Sequence, residues 1–116
     1  MKLQPELVRA ILIWCEDNLD GDRFHYASNI HIEEYTRKEI VYHIGRLKEA
    51  GYVNVKFYGA DDGADYLLTT LSWYGHHFLE TMRSETNWKK ALEVFGKVGL
   101  VALPEFIKHY LPLIAP

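Results

Sequence analysis

The stretch TRKEIVYHIGRLKEAGYVNVKFYGADDGADYLLTTLS, residues 36–72, decides the fold. Its first half has helical spacing. With each residue advancing about 100°, Ile40, Ile44 and Leu47 fall within about 60° of one another and define a core face. Lys38, Tyr42, Gly45 and Glu49 project to the opposite, exposed face, with Arg46 beside them. The helix is expected to start within residues 33–36 and to close at Ala50-Gly51, where glycine takes the left-handed cap conformation at no steric cost. Tyr52 to Tyr58 then alternates as a strand, Gly59 to Asp65 forms a Gly- and Asp-rich turn, and Tyr66 to Ser72 is the returning strand.

A helix passing directly into a strand hairpin is the order in which a winged helix presents its reading helix and its wing. Upstream, Leu7, Val8, Ile11, Leu12, Trp14 and Cys15 recur at helical spacing from Pro5 to Asn18, with Pro5 tolerated in the first turn. Asn18-Leu19-Asp20-Gly21-Asp22 stops that helix. Phe24 to Ile32 alternates weakly around Ile30-His31-Ile32 and is expected to be a short strand or extended connector. No separate apolar-periodic helix is found in residues 20–34, the place of the element that in ordinary winged helices braces the reading helix against the DNA backbone.

Downstream, Ser72 is placed to cap a helix whose apolar set is Tyr74, Phe78, Leu79 and Met82. Ser84 to Asn87 breaks or kinks it, Trp88, Ala91, Leu92 and Phe95 continue the pattern, and Gly96 and Gly99 mark a hinge. Pro104 opens a last helix that Pro112 ends. The expected class is α+β: a winged helix-turn-helix-like domain over residues 1–95 with a two-stranded wing, and a C-terminal helical extension over residues 96–116 that packs on the domain or on a second subunit.

A chain of 116 residues, 48% of them hydrophobic, has material for one domain with its own core and needs no metal or disulfide to hold it. Its single cysteine, Cys15, cannot form an internal disulfide and is expected to be a buried thiol. The start lacks the apolar segment of a signal peptide, and the longest apolar run, Ala10 to Cys15, is too short to span a bilayer, so a cytoplasmic protein with no membrane partner is expected. The net charge of −3 hides an asymmetry. Residues 1–34 carry net −4, residues 35–58 net +3 with five basic and two acidic groups, residues 59–72 net −3, and residues 73–116 net +1. The one clearly basic segment is the expected reading helix with the strand after it.

Two stretches, Glu39-Ile40-Val41-Tyr42-His43-Ile44-Gly45-Arg46-Leu47-Lys48-Glu49-Ala50-Gly51-Tyr52 and Leu71-Ser72-Trp73-Tyr74-Gly75-His76-His77-Phe78-Leu79, followed by Arg83 and Trp88, resemble the small phage- and prophage-borne family catalogued as domain of unknown function 2513. Leu7 to Leu12 fits the same pattern, so the resemblance spans residues 3–95. Where the family often has an acidic residue after the tryptophan, this chain has Tyr74. The resemblance implies a winged-helix-like fold and a mobile-element setting. It implies no established activity and no catalytic residues.

For DNA, a helix must bring side chains to base edges and cations to phosphates. Lys38, Tyr42 and Arg46 lie along one expected face, with Arg37 and Lys48 flanking. Arg46 suits a guanine edge, and Tyr42 a base or a phosphate. Gly45 removes bulk where a ligand would approach. The alternative is a solvated helix face with ordinary charges. Against DNA stands the turn with Asp61, Asp62 and Asp65, which a duplex would repel; its spacing matches a hairpin turn and not a calcium loop. Adjacent His76 and His77 point about 100° apart and cannot readily share one ion, and His43, at the edge of the core face, is expected to be a hydrogen-bonded structural histidine. No phosphate loop, nucleophile elbow or paired carboxylates are found, so neither catalysis, a metal nor a cofactor is expected. In the tail, Phe106, Ile107, Tyr110, Leu111 and Ile114 share a stripe that is expected either to pack back on the domain or to bury itself in a symmetric homodimer. The leading expectation is a DNA-binding or transcription-regulatory protein; the other is a module that binds a host or phage protein without binding DNA.

Overall fold

The computed structural model describes residues 1–60 and 63–98. Among these residues four α-helices and an antiparallel sheet of three strands make an α+β fold: α1 (Pro5–Asn18), β1 (His25–Tyr26), a 3-10 turn (Ala27–Asn29), α2 (Arg37–Glu49), β2 (Val53–Ala60), β3 (Gly63–Leu71), α3 (Trp73–Met82) and α4 (Glu85–Val98). The stripe of Phe106, Ile107, Tyr110, Leu111 and Ile114, with most of the expected extension, lies outside the described residues.

Helix α1 has the expected bounds, and its stripe Leu7, Val8, Ile11, Leu12 and Cys15 is buried. Trp14 is half-buried instead, its ring meeting His25 edge-on at 5.2 Å. Between α1 and α2 the chain forms no α-helix. The expected strand shrinks to His25–Tyr26, paired with Leu68 and Leu67, and Ile30 is buried just past the 3-10 turn.

Helix α2 begins later than the sequence pattern predicts, because Thr36 is its N-cap. The Thr36 hydroxyl accepts from the Glu39 N–H while the Glu39 carboxylate accepts from the Thr36 N–H, a reciprocal capping box. Ile40, Ile44 and Leu47 are buried as expected, and Gly51 ends the helix at φ +81°.

The strand order is β1-β3-β2. The hairpin is longer than the sequence suggests: pairing runs from Val53↔Leu71 to Ala60↔Gly63. Gly59, Ala60, Gly63 and Ala64 lack strand-favouring side chains, but the backbone ladder does not need them. A bulge between Asn54 and Val55 inserts Thr69 into β3, whose hydroxyl donates to the Asn54 carbonyl at 2.9 Å. That extra residue lets Leu68 and Leu71, three apart, both face the core, which strict alternation forbids.

Helix α3 is capped by Ser72 as expected, its hydroxyl accepting from the Gly75 N–H at 3.1 Å. Its buried stripe is Gly75, Phe78, Leu79 and Met82. Tyr74, expected in that stripe, is half exposed. Position 75 is the inward one because the Ser72 N–H donates to the Tyr52 carbonyl and the Ser72 hydroxyl to the Gly51 carbonyl, drawing the helix start onto the end of α2. Helix α4 runs on through Gly96, where a hinge is expected, and buries Trp88 and Ala91.

Candidate functional site

Helix α2 is fixed at its start by α1. The Gln4 N–H donates to His43 Nε2 at 2.9 Å, and His43 Nδ1 lies 2.8 Å from the Glu39 carbonyl. Because one partner is a donor and the other an acceptor, the imidazole is the neutral Nδ1–H tautomer. Burial holds its pKa below the ordinary value, against the opposing pull of the Glu39 carbonyl and carboxylate. His43 is thus the hydrogen-bonded structural histidine that its position suggests. The Glu39 carboxylate also accepts from the Gln4 side chain at 2.7 Å, and the Thr36 N–H and that amide keep its pKa below the usual carboxylate range.

The outward face of α2 is not uniformly open. Gly45, expected at its middle, is buried: a Cβ there would lie 2.6 Å from Tyr66 Oη and 3.0 Å from its Cζ. Tyr66 of β3 therefore rests on the helix where a ligand was expected to approach. At about 100° per residue, Tyr66 divides the candidate contacts into two flanks, Lys38, Tyr42 and Arg46 on one side and Arg37 and Lys48 on the other.

The five residues differ in how free they are. Arg37, Lys38 and Lys48 are exposed and have no carboxylate partner among the described residues. Arg46 is engaged: its guanidinium lies 5.2 Å over the Tyr42 ring and its Nη2 meets Glu49 at 2.5 Å. Its Nε is buried without a hydrogen-bond partner among the described residues. Tyr42 is half-buried between Arg46 and His43, whose ring it meets at 5.7 Å. Both carboxylates of the basic segment are thus consumed, Glu39 by the cap and Gln4, Glu49 by Arg46.

On the hairpin, Asp65 is a structural group and not a free charge. Its carboxylate accepts from the Ser28 hydroxyl at 2.6 Å and from the N–H groups of Ser28 and Tyr66, tying the 3-10 turn to β3. Asp61 and Asp62 lie outside the described residues. Phe57 pairs across the ladder with Tyr66, their ring centroids 5.5 Å apart, and it is 54% exposed.

A second aromatic cluster escapes the sequence reasoning. Trp73 is 70% exposed and Tyr74 50%. The Trp73 ring stacks on His77 at 5.0 Å, the planes 9° apart, and meets Tyr74 edge-on at 5.3 Å. The signal was present, since Gly75, Phe78, Leu79 and Met82 follow an i, i+3, i+4, i+7 pattern that leaves residues 73 and 74 outside the stripe.

An open cleft of about 240 Å3 between the end of α1 and α3 is lined by Cys15, Glu16, Asp20 and His76. Burial pushes the Cys15 thiol up to about 12, so it stays protonated at neutral pH and is a poor nucleophile. Among the described residues no group of three or more His, Cys, Asp or Glu is placed to hold a metal ion, and no helix is long and apolar enough to cross a membrane.

No curated protein and no solved structure matches the chain. A family model described as hypothetical protein (DUF2513) does, over residues 2–101, which include both stretches that carry the resemblance. The match covers most of the sequence, and the chain belongs to the DUF2513 family.

Proposed function

We propose that this is a small, non-catalytic DNA-binding protein of winged-helix type with a regulatory role, in which α2 and the β2–β3 hairpin serve as reading helix and wing. One observation carries the reading: Arg37, Lys38 and Lys48 stand exposed on α2 without carboxylate partners among the described residues, while Glu39 and Glu49 are consumed. Such unpaired cations are what phosphates require. Binding to mixed-sequence duplex DNA, followed by fluorescence anisotropy across a salt series, is expected to weaken with a log-log slope of about −2 to −3. Joint replacement of Lys38 and Lys48 by Ala should shrink that slope by about two and leave stability within about 0.5 kcal/mol, since both groups are exposed. A slope unchanged by the double substitution would sink the reading.

Trp73 and Tyr74 favour a second reading, a module that binds a host or phage protein. Large exposed aromatics side by side supply much of the binding energy in protein interfaces. Under this reading the protein binds no duplex DNA even at low salt, and Trp73→Ala should abolish capture of the partner.

A further inference from the structure

The hairpin places an aromatic side chain where a duplex has nothing to offer it. On β2, Val55 and Phe57 share a face, and their partners Leu68 and Tyr66 share the same face of β3. Leu68 is buried, and Tyr66 lies on Gly45 of α2, so this is the face that covers the helix. Phe57 continues the row beyond Tyr66 and is left 54% exposed, its ring tilted 57° to that of Tyr66. A continuous path therefore runs from Phe57 through Tyr66 and Gly45 to the Arg46–Tyr42 pair, with exposed cations on both flanks.

Tyr66 covers the outward face of α2 at Gly45, so what approaches the middle of the helix meets aromatic rings first. Within a paired duplex the faces of the bases are hidden by their neighbours, and a phenyl ring gains little from phosphates. Only an unstacked base presents a face to such a ring, and cations beside aromatic rings are the usual platform for single strands.

We propose that the ledge of Phe57 and Tyr66, beside the cations of α2, takes the face of an unpaired nucleobase, so that the protein prefers DNA containing a single-stranded segment to fully paired duplex. The inference rests on the DNA-binding reading and adds the class of ligand. The flanking cations hold the backbone whatever the sequence, and the ring selects unpaired bases by stacking.

The test compares three probes at one salt concentration: a paired duplex, the same duplex with a short central mismatch bubble, and oligothymidylate. The bubble and the single strand should bind about fivefold tighter than the duplex, or more. Phe57→Ala should remove that preference and Phe57→Trp should keep it; circular dichroism confirms that both variants fold. Equal affinity for paired and unpaired probes, or a preference that survives Phe57→Ala, overturns the inference and leaves the DNA-binding reading standing. No binding to any probe removes both.

Discussion

Two helical glycines both stand where an added Cβ would meet an atom closer than 3.0 Å, yet the same substitution should affect them differently. At Gly45 an added methyl group meets the far end of the Tyr66 side chain, which can swing aside, and the helix gains about 1 kcal/mol from replacing glycine by alanine. Gly45→Ala is expected to stay within about 1 kcal/mol of the parent in urea denaturation. At Gly75 the added Cβ would lie 2.2 Å from the Tyr52 carbonyl oxygen, a backbone atom that also accepts the Ser72 N–H. Neither side can yield, and Gly75→Ala should cost about 2 kcal/mol or more. His43 gives a pH signature. Its folded pKa lies below the ordinary value, so the unfolded chain takes up the proton first and stability falls as pH drops through about 6.5, with no such loss above it. Urea midpoints measured down that range should fall for the parent chain, and His43→Gln should remove this part of the slope.

At the scale of elements, the joint between α3 and α4 is held by a side chain of α1. Arg9 donates to the Met82 carbonyl at 2.9 Å, to the Arg83 carbonyl at 3.1 Å and to Glu85, and its guanidinium lies 5.2 Å over the Trp88 ring. The two carbonyls belong to the end of α3, which has no further helical turn to satisfy them. Arg9→Ala should therefore cost about 1–3 kcal/mol. Arg83, bonded to Glu16 and Asp17 in the open, should lose under about 1 kcal/mol on the same change. Thermal denaturation of the two variants checks the contrast. The elements themselves were legible where local chemistry decides them: Pro5 at the start of α1, Gly51 at the end of α2, Ser72 before α3. The true start of α2 was also written in Thr36-x-x-Glu39, a capping box that the apolar periodicity alone overlooks. What periodicity could not show was the sheet's hold on α2. Gly45 reads as an open position on the helix wheel, and only the approach of Tyr66, 21 residues later in the chain, closes it. The alternation of the hairpin likewise failed at Thr69, because a bulge shifts register without a distinctive residue to announce it.

Over the whole molecule, the first helix is joined to the last described one. Besides the Arg9 contacts, the Trp88 indole N–H donates to both oxygens of Glu6 at 3.2 Å, and the ring is buried. Trp88→Ala should accordingly cost about 3–5 kcal/mol while leaving one cooperative unfolding transition, because Trp88 and Ala91 are buried in the core that α4 shares with the other elements. That closure also orders events during synthesis. A nascent chain emerges N-terminus first, so Glu6 and Arg9 leave the ribosome before residues 82–88 exist. At about 5–20 residues per second, α1 waits roughly four to fifteen seconds for its partners. Through that interval α2, β3 and α3 can already cover Leu7, Ile11 and Leu12, but Glu6 and Arg9 lack the groups that close over them, and a ribosome stalled before Trp88 would hold a core with its last side open.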